Sequence, residues 1–359
     1  MKPSRQNIPR VLIASKREDA PGIYSANWDP SIGEMEGLRF AAAIEGPSFL
    51  AHSFCNDGDL LLVVGQSTTD GGYIAAYRYE PESGELSFLN RESTLGKDPV
   101  HLCIHPDGRS VYAVNYWEAG ISSFVIGSDG RLSSAVSHFR YKGRGPKNPR
   151  QDEPHAHGVT ISSDGRFLFV NDLGLDRIRL YRTEATTAKL VEHDPSFWAS
   201  EPEAGPRHST FHPNGRWLYS IQELDSTVVA LEWNQNRGLL TSFAAVSLLP
   251  SEHLPEHARA CEIVVSPDGR FVYASNRGSD LLSVLRVDPV DGAITLMQQT
   301  STGGENARHI ALDPSGRWML VCNESSRAIA VLKRDSSDGT LSAPLSTVTL
   351  DLPVCALFR

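Results

Sequence analysis

One pattern recurs along this chain and limits its fold more than any other feature: an apolar run, a Pro/Ser-Asp/Asn-Gly-Arg turn, and a second apolar run. Clear copies are HPDGRSVYAV, SSDGRFLFV, HPNGRWLYSI, SPDGRFVYAS and DPSGRWMLVC, with a degenerate copy, CNDGDLLLVVG, before them. The anchoring glycines are Gly58, Gly108, Gly165, Gly215, Gly269 and Gly316, spaced by 50, 57, 50, 54 and 47 residues. A period near 50 is the signature of β-propeller blades. Within each copy, Asp-Gly or Asn-Gly between apolar runs predicts a tight hairpin. A polar knot, an alternating strand such as IRLYR or VVALEW, a second turn and a last short strand follow. The period of two dominates, and no run carries helical periodicity.

Four antiparallel strands cannot bury both their faces alone, so the units must pack around an axis. Six repeats start near Ser48, Val100, His157, Arg207, Cys261 and Arg308. The N-terminal part holds three strands without an inner one (RVLIAS, GIYSANWD, GLRFAAAI), and the C-terminus ends in one apolar strand without partners (PVCALFR). Together they make a seventh blade, which removes the edges an open ring would expose. The expectation is an all-β, seven-bladed β-propeller in which residues 1–359 form a single domain.

The 40% apolar content suits a chain that buries a core. No stretch reaches the roughly 18 consecutive apolar residues of a membrane span. The start, Met1–Lys16, has no apolar stretch of the signal-peptide kind. Five cysteines (55, 103, 261, 322 and 355) are scattered without metal-binding spacing, which reads as reduced thiols in a cytoplasmic protein. A net charge of −9 argues against nucleic acid, and no membrane partner is indicated. A local Arg cluster can still attract a small anion. Oligomeric state is not legible.

A repeat supplies its own comparison: residues shared by every copy read as structural, and charged residues unique to one copy read as functional. Eight residues before each glycine stand Val100, His157, Arg207, Cys261 and Arg308, followed by His101, Gly158, His208, Glu262 and His309. Seven and eight residues after it stand Asn115, Asp172, Gln222, Asn276, Asn323 and then Tyr116, Leu173, Glu223, Arg277, Glu324. In an antiparallel hairpin both sets lie at the same end of the channel. Asn115, Gln222, Asn276 and Asn323 read as satisfying backbone groups, and His105 and His212 as turn residues. His157, Arg207, Glu223, Glu262, Arg277 and Arg308 are costly near a channel unless they pair with one another or with a ligand. The Gly/Pro-rich, charged loop Tyr141–His157 is expected to overhang that end. His155 and His157, two apart, face one way on a strand, but no third ligand stands at a diagnostic distance, so no metal is expected.

The segments AVNY (113–116), RQDEPHAHGV (150–159), VNDLGLDRI (170–178), GPRHSTFHPNG (205–215), QELDSTV around Glu223, CEIVVSPDGRFVYASNRG (261–278) and the closing PVCALF resemble the lactonase family of seven-bladed propellers. That family includes cycloisomerase-type 6-phosphogluconolactonases and carboxy-cis,cis-muconate cyclases. The resemblance implies catalytic roles for His157 (with His155 as the other histidine of its motif), Arg207, Glu223 and Arg277. Glu262 and Arg308 enter with His155 as substrate-binding candidates. The chain departs from the family at Ala14-Ser15-Lys16-Arg17, where Gly-Thr-Tyr-Thr is common.

The expected chemistry is water attack on a sugar lactone, without metal or organic cofactor. A base (Glu223 or His157) takes the proton, and arginines hold the anionic oxygens. No GxSxG motif supports an acyl-enzyme. The alternatives are cyclisation of an unsaturated dicarboxylate and a non-catalytic binding scaffold. As cavity-facing groups, Arg207 and Glu223 are expected to tolerate Ala with little change in melting temperature and at least about a tenfold loss of turnover.

Overall fold

The computed structural model describes residues 9–56, 58–184, 186–249 and 259–359. The start of the segment read for a leader, residues 1–8, and Asp57 of the degenerate turn lie outside them. Seven four-stranded antiparallel sheets form a ring of blades. Blades 1 to 6 begin at the inner strands Pro47–Cys55, Lys97–Ile104, Ala156–Ile161, Pro206–Phe211, Arg259–Val265 and Ala307–Leu312. In blade 7 the C-terminal strand Pro353–Phe358 is innermost and pairs with Arg10–Ser15, followed by Gly22–Asp29 and Glu34–Ala43. The chain ends therefore close the ring as the sequence predicts. Among the described residues the one helical element is a 3₁₀ turn, Leu173–Leu175.

Each second strand is almost wholly buried, as in Ser110–Trp117, Phe167–Asp172, Trp217–Gln222 and Trp318–Asn323. These strands pack against inner strands of neighbouring blades, so the core is a set of inter-blade layers such as Tyr219, Val228, Ile263 and Val272 between blades 4 and 5. The repeated turn explains its own glycine. Gly165 and Gly269 have φ of 72° and 74°, a region that favours Gly. The preceding blade's His105 and His212 donate from Nε2 to their carbonyls at 3.0 and 2.9 Å. A Cβ on either glycine would stand 2.4 Å from that imidazole nitrogen. The turn histidines thus staple one blade to the next.

The shared amides act on backbone, as expected. Asn115 Nδ2 donates to Thr94 O at 2.9 Å, and Asn323 Nδ2 to Thr302 O at 2.9 Å. Asn276 Oδ1 accepts from the backbone N–H of Arg259 at 3.1 Å.

The feature that positions the site is a bulge near the start of every inner strand. The ladder skips a residue between Pro47 and Phe49, Pro99 and His101, Ala156 and Gly158, Pro206 and His208, and Ala307 and His309. In blade 5 it skips Cys261 and Glu262. The skipped residues Val100, His157, Arg207, Cys261 and Arg308 are those standing eight before the glycines. A bulge bends the strand and re-aims its side chain, which gives seven blades one common place to vary chemistry.

Candidate active site

A cavity of about 670 Å³ opens at the bulged end of the channel. His157, Glu223, Arg277 and Arg308 line it, together with Tyr116, Trp117, Arg150 and Arg259. The charges along its wall meet on the Glu223 carboxylate. Arg277 Nη2 lies 2.9 Å and Arg207 Nε 3.1 Å from its Oε2, while Arg150 Nη2 stands 2.5 Å from Oε1. Blades 4 and 5 and the long loop before blade 3 thus share one carboxylate.

Arg207 is buried behind Glu223, and its Nη1 also donates to Cys261 O at 2.6 Å. Burial alone would raise the pKa of Glu223. Arg277, Arg207, Arg150 and Arg259 outweigh it and hold the carboxyl below its ordinary value, so it is ionised at neutral pH. His157 is driven the other way. Burial first, then Arg207, His208, Arg308 and Arg277, keep its pKa well below that of an ordinary histidine. The ring is therefore neutral, and its Nδ1 is buried without a hydrogen-bond partner.

Arg308 stands apart from this cluster, with Nη1 3.4 Å from Glu324 Oε2. His155 and Glu262 do not line the cavity. His155 stacks on Tyr116, with centroids 4.2 Å apart and planes within 10°, and its Nδ1 faces Tyr116 O at 3.2 Å. The bulge explains the separation: it falls between Ala156 and Gly158, so His155 and His157 do not share a regular strand face. Glu262 lies below the site among imidazoles, 2.8 Å from His208 Nδ1 and 3.8 Å from His309 Nε2. Ring contacts from His208 to His101 (4.6 Å) and His157 (5.2 Å) extend this axial cluster up to the cavity floor.

Arg150 is absent from the sequence-derived candidates because it lies in a loop with no counterpart in other blades. The loop is held in place from below: Gln151, fully buried, donates from Nε2 to Leu173 O at 2.8 Å and Asp176 Oδ1 at 2.7 Å. Tyr116 and Trp117 were also missed as site residues, although Tyr116 occupies the same repeat position as Glu223 and Arg277. Arg207 and Glu223 form a buried ion pair, so the expectation that either tolerates Ala with little change in melting temperature is revised: removing Glu223 takes the carboxylate from buried Arg207, whereas removing Arg207 leaves Glu223 with Arg277 and Arg150. Among the described residues no group of three or more His, Cys, Asp or Glu side chains is arranged to hold a metal ion.

The sequence profile described as lactonase, seven-bladed β-propeller, matches residues 10–358. The chain belongs to this lactonase family. Two similar relatives are 6-phosphogluconolactonases. That of Bacillus subtilis (strain 168) is 32% identical over 337 residues, covering 94% of each chain. That of Formosa agariphila is 30% identical over 307 residues, covering 84% of this chain and 85% of its own. Among solved structures, a periplasmic gluconolactonase of Pseudomonas aeruginosa superposes with a TM-score of 0.90 at 30% identity, covering 98% of this lactonase-family chain and 99% of its own. Among the described residues no helix is long and apolar enough to cross a membrane.

Proposed function

We propose that this chain hydrolyses a sugar lactone, 6-phosphogluconolactone, in the cavity around Glu223. The observation that carries the reading is the meeting of three guanidiniums on one ionised carboxylate beside a neutral imidazole whose Nδ1 has no partner. The membership in the lactonase family supports it.

Lactone opening needs a base for water and donors for the developing oxyanion. Glu223 has both oxygens engaged in direct ion pairs, so neither is free to take a proton from water. Its work is to fix Arg207, Arg277 and Arg150. His157 is the base. Its neutral ring takes a proton from water as the water oxygen attacks the lactone carbonyl. Arg277 and Arg150 face the cavity and stabilise the tetrahedral oxyanion as bidentate donors. The ring C–O bond then breaks, and the imidazolium returns its proton to the departing alkoxide. The products are a carboxylic acid, which ionises, and a hydroxyl. Burial is the first cause of the low pKa of His157; an anionic substrate offsets the part that Arg207, Arg308 and Arg277 add and moves the ring toward ordinary basicity.

Purified protein, freshly prepared 6-phosphogluconolactone and a pH-stat test this against spontaneous opening. Acceleration of acid release supports the reading. Cyclisation of a carboxymuconate, followed by loss of diene absorbance, with no lactone hydrolysis, overturns it in favour of the lactonising direction. We also assign the protein to a reducing, cytoplasmic compartment, on the strength of five free cysteines.

A further inference from the structure

Blade 2 brings to the cavity an uncharged donor that has no task in the chemistry above. Tyr116 lies at the end of the second strand Ser110–Trp117 and lines the cavity with His157, Arg150, Glu223 and Arg277. It stands eight residues after Gly108, the repeat position that holds Glu223 in blade 4 and Arg277 in blade 5. Second strands of three blades thus deliver a phenol, a carboxylate and a guanidinium to one cavity.

Packing fixes the phenol. Its ring stacks on His155 with centroids 4.2 Å apart and planes within 10°. Trp117 meets it edge-on at 5.0 Å, and His157 at 5.5 Å with the planes 83° apart. His155 also faces the Tyr116 carbonyl with Nδ1 at 3.2 Å. That histidine is anchored in turn: its backbone N–H donates to Asp172 Oδ1 at 3.1 Å, and Arg179 Nη2 stands 3.1 Å from Asp172 Oδ2. A ring held by three aromatic neighbours is preorganised, so little freedom is lost when its hydroxyl meets a substrate.

The hydroxyl is available. Its O–H donates to no acceptor among the described residues, and it is not among the sealed polar atoms that lack a partner. Burial raises the pKa of the phenol, and Arg150 only partly offsets this, so the proton stays on at neutral pH. In lactone opening the attacked carbon must lie within reach of the base and of the oxyanion donors at once. Tyr116 is in ring contact with His157, the base, and lines the same cavity as Arg150 and Arg277, the charged donors.

We propose that Tyr116 is a further catalytic residue, whose hydroxyl donates a hydrogen bond to the lactone carbonyl oxygen as that oxygen becomes the tetrahedral oxyanion. The proposal rests on the lactonase reading of the same cavity. The phenol completes an oxyanion site with Arg277 and Arg150 and keeps its own proton throughout. His157 alone takes a proton from water and returns it to the departing alkoxide. Because every sugar lactone carries the carbonyl, this donor serves phosphorylated and unphosphorylated substrates alike.

The test compares the full chain with Tyr116→Phe on 6-phosphogluconolactone and gluconolactone. The substitution keeps the ring and its stack and removes the oxygen alone. On each lactone that the native protein opens, kcat is expected to fall by at least about tenfold, with KM within about threefold, as for a donor engaged only in the transition state. The melting temperature is expected to hold, because the hydroxyl donates no hydrogen bond within the fold. A kcat within about threefold of native overturns the proposal and leaves the lactonase reading standing. A raised KM at constant kcat also overturns it, since the hydroxyl then binds substrate without acting on the oxyanion. A loss on the phosphorylated lactone with none on gluconolactone overturns it by placing the hydroxyl at the phosphate. A native protein that opens neither lactone removes the lactonase reading and the proposal with it, a result distinct from an active parent with an equally active variant.

Discussion

Arg277 Nη2 lies 2.9 Å from Glu223 Oε2, although the two residues come from different blades and only the channel brings them together. Arg207 meets the same oxygen from behind at 3.1 Å, and Arg150 meets the other from the overhanging loop. The carboxylate is thus the hinge between a buried structural cation and two cavity-facing ones.

Activity and stability are therefore coupled at this carboxylate. Glu223→Gln is expected to lower kcat/KM by at least about tenfold, because the three guanidiniums lose their common anchor. It also removes the counter-charge of Arg207, itself only 2% exposed. Breaking a buried pair from one side costs roughly 3–5 kcal/mol. Urea denaturation of Glu223→Gln and Arg207→Met, alone and combined, checks this: the double variant is expected to be more stable than the sum of the single losses.

The two histidines of the PHAH segment are expected to separate. His157→Phe, at the cavity wall, loses at least about a hundredfold in kcat, the upper part of the range for a general base. His155→Phe preserves the stack on Tyr116 and keeps kcat within about threefold, since an aromatic replacement conserves the contact. Steady-state kinetics on the two variants decide it. Equal losses would remove His157 from its role.

Trp117 is 45% exposed at the cavity, supported edge-on by Tyr116 and His155 at 5.0 and 4.9 Å. Such a face offers apolar contact to the C–H surface of a sugar. Trp117→Ala is expected to raise KM about three- to tenfold with little change in kcat, the pattern of lost ground-state binding. Trp117→Phe is expected to fall between the two. A lowered kcat at constant KM would contradict the assignment.

The axial imidazoles make stability sensitive to acid. Burial lowers the pKa of His101, His157, His208 and His309, so the folded protein holds them neutral. Their unfolded pKa is about 6.5, and below that value the unfolded chain binds protons the folded one refuses. Stability is full above about pH 6.5 and declines as pH falls beneath it, by about 1.4 kcal/mol per pH unit for each imidazole. Glu223, whose pKa is lowered in the fold, adds its own loss only as pH falls below the ordinary carboxyl range. Denaturation at pH 7, 6 and 5 is expected to show the decline. His101→Phe is expected to reduce the slope by one proton. A flat profile would mean these rings are already charged in the fold.

The local code was written in the repeats. Asp-Gly turns at regular spacing, alternating apolar strands and the orphan strands at each end require seven antiparallel blades closed by Pro353–Phe358, because short-range propensity and the need to bury both faces of every sheet leave no other arrangement. Comparing the repeats position by position also found the bulged residues, since the bulge recurs with the repeat. What only the tertiary structure decided is which of these charges meet. His155 and His157 differ by two in sequence and both pack on Tyr116, yet with the bulge between Ala156 and Gly158 only His157 lines the cavity. Glu262 turns to His208 rather than to the cavity. Arg150, with no counterpart in the repeat, arrives because a buried Gln151 fixes its loop. Hydrogen bonding between neighbours in the chain dictates strands and turns, whereas the field at Glu223 is summed across blades that touch only once the ring is closed.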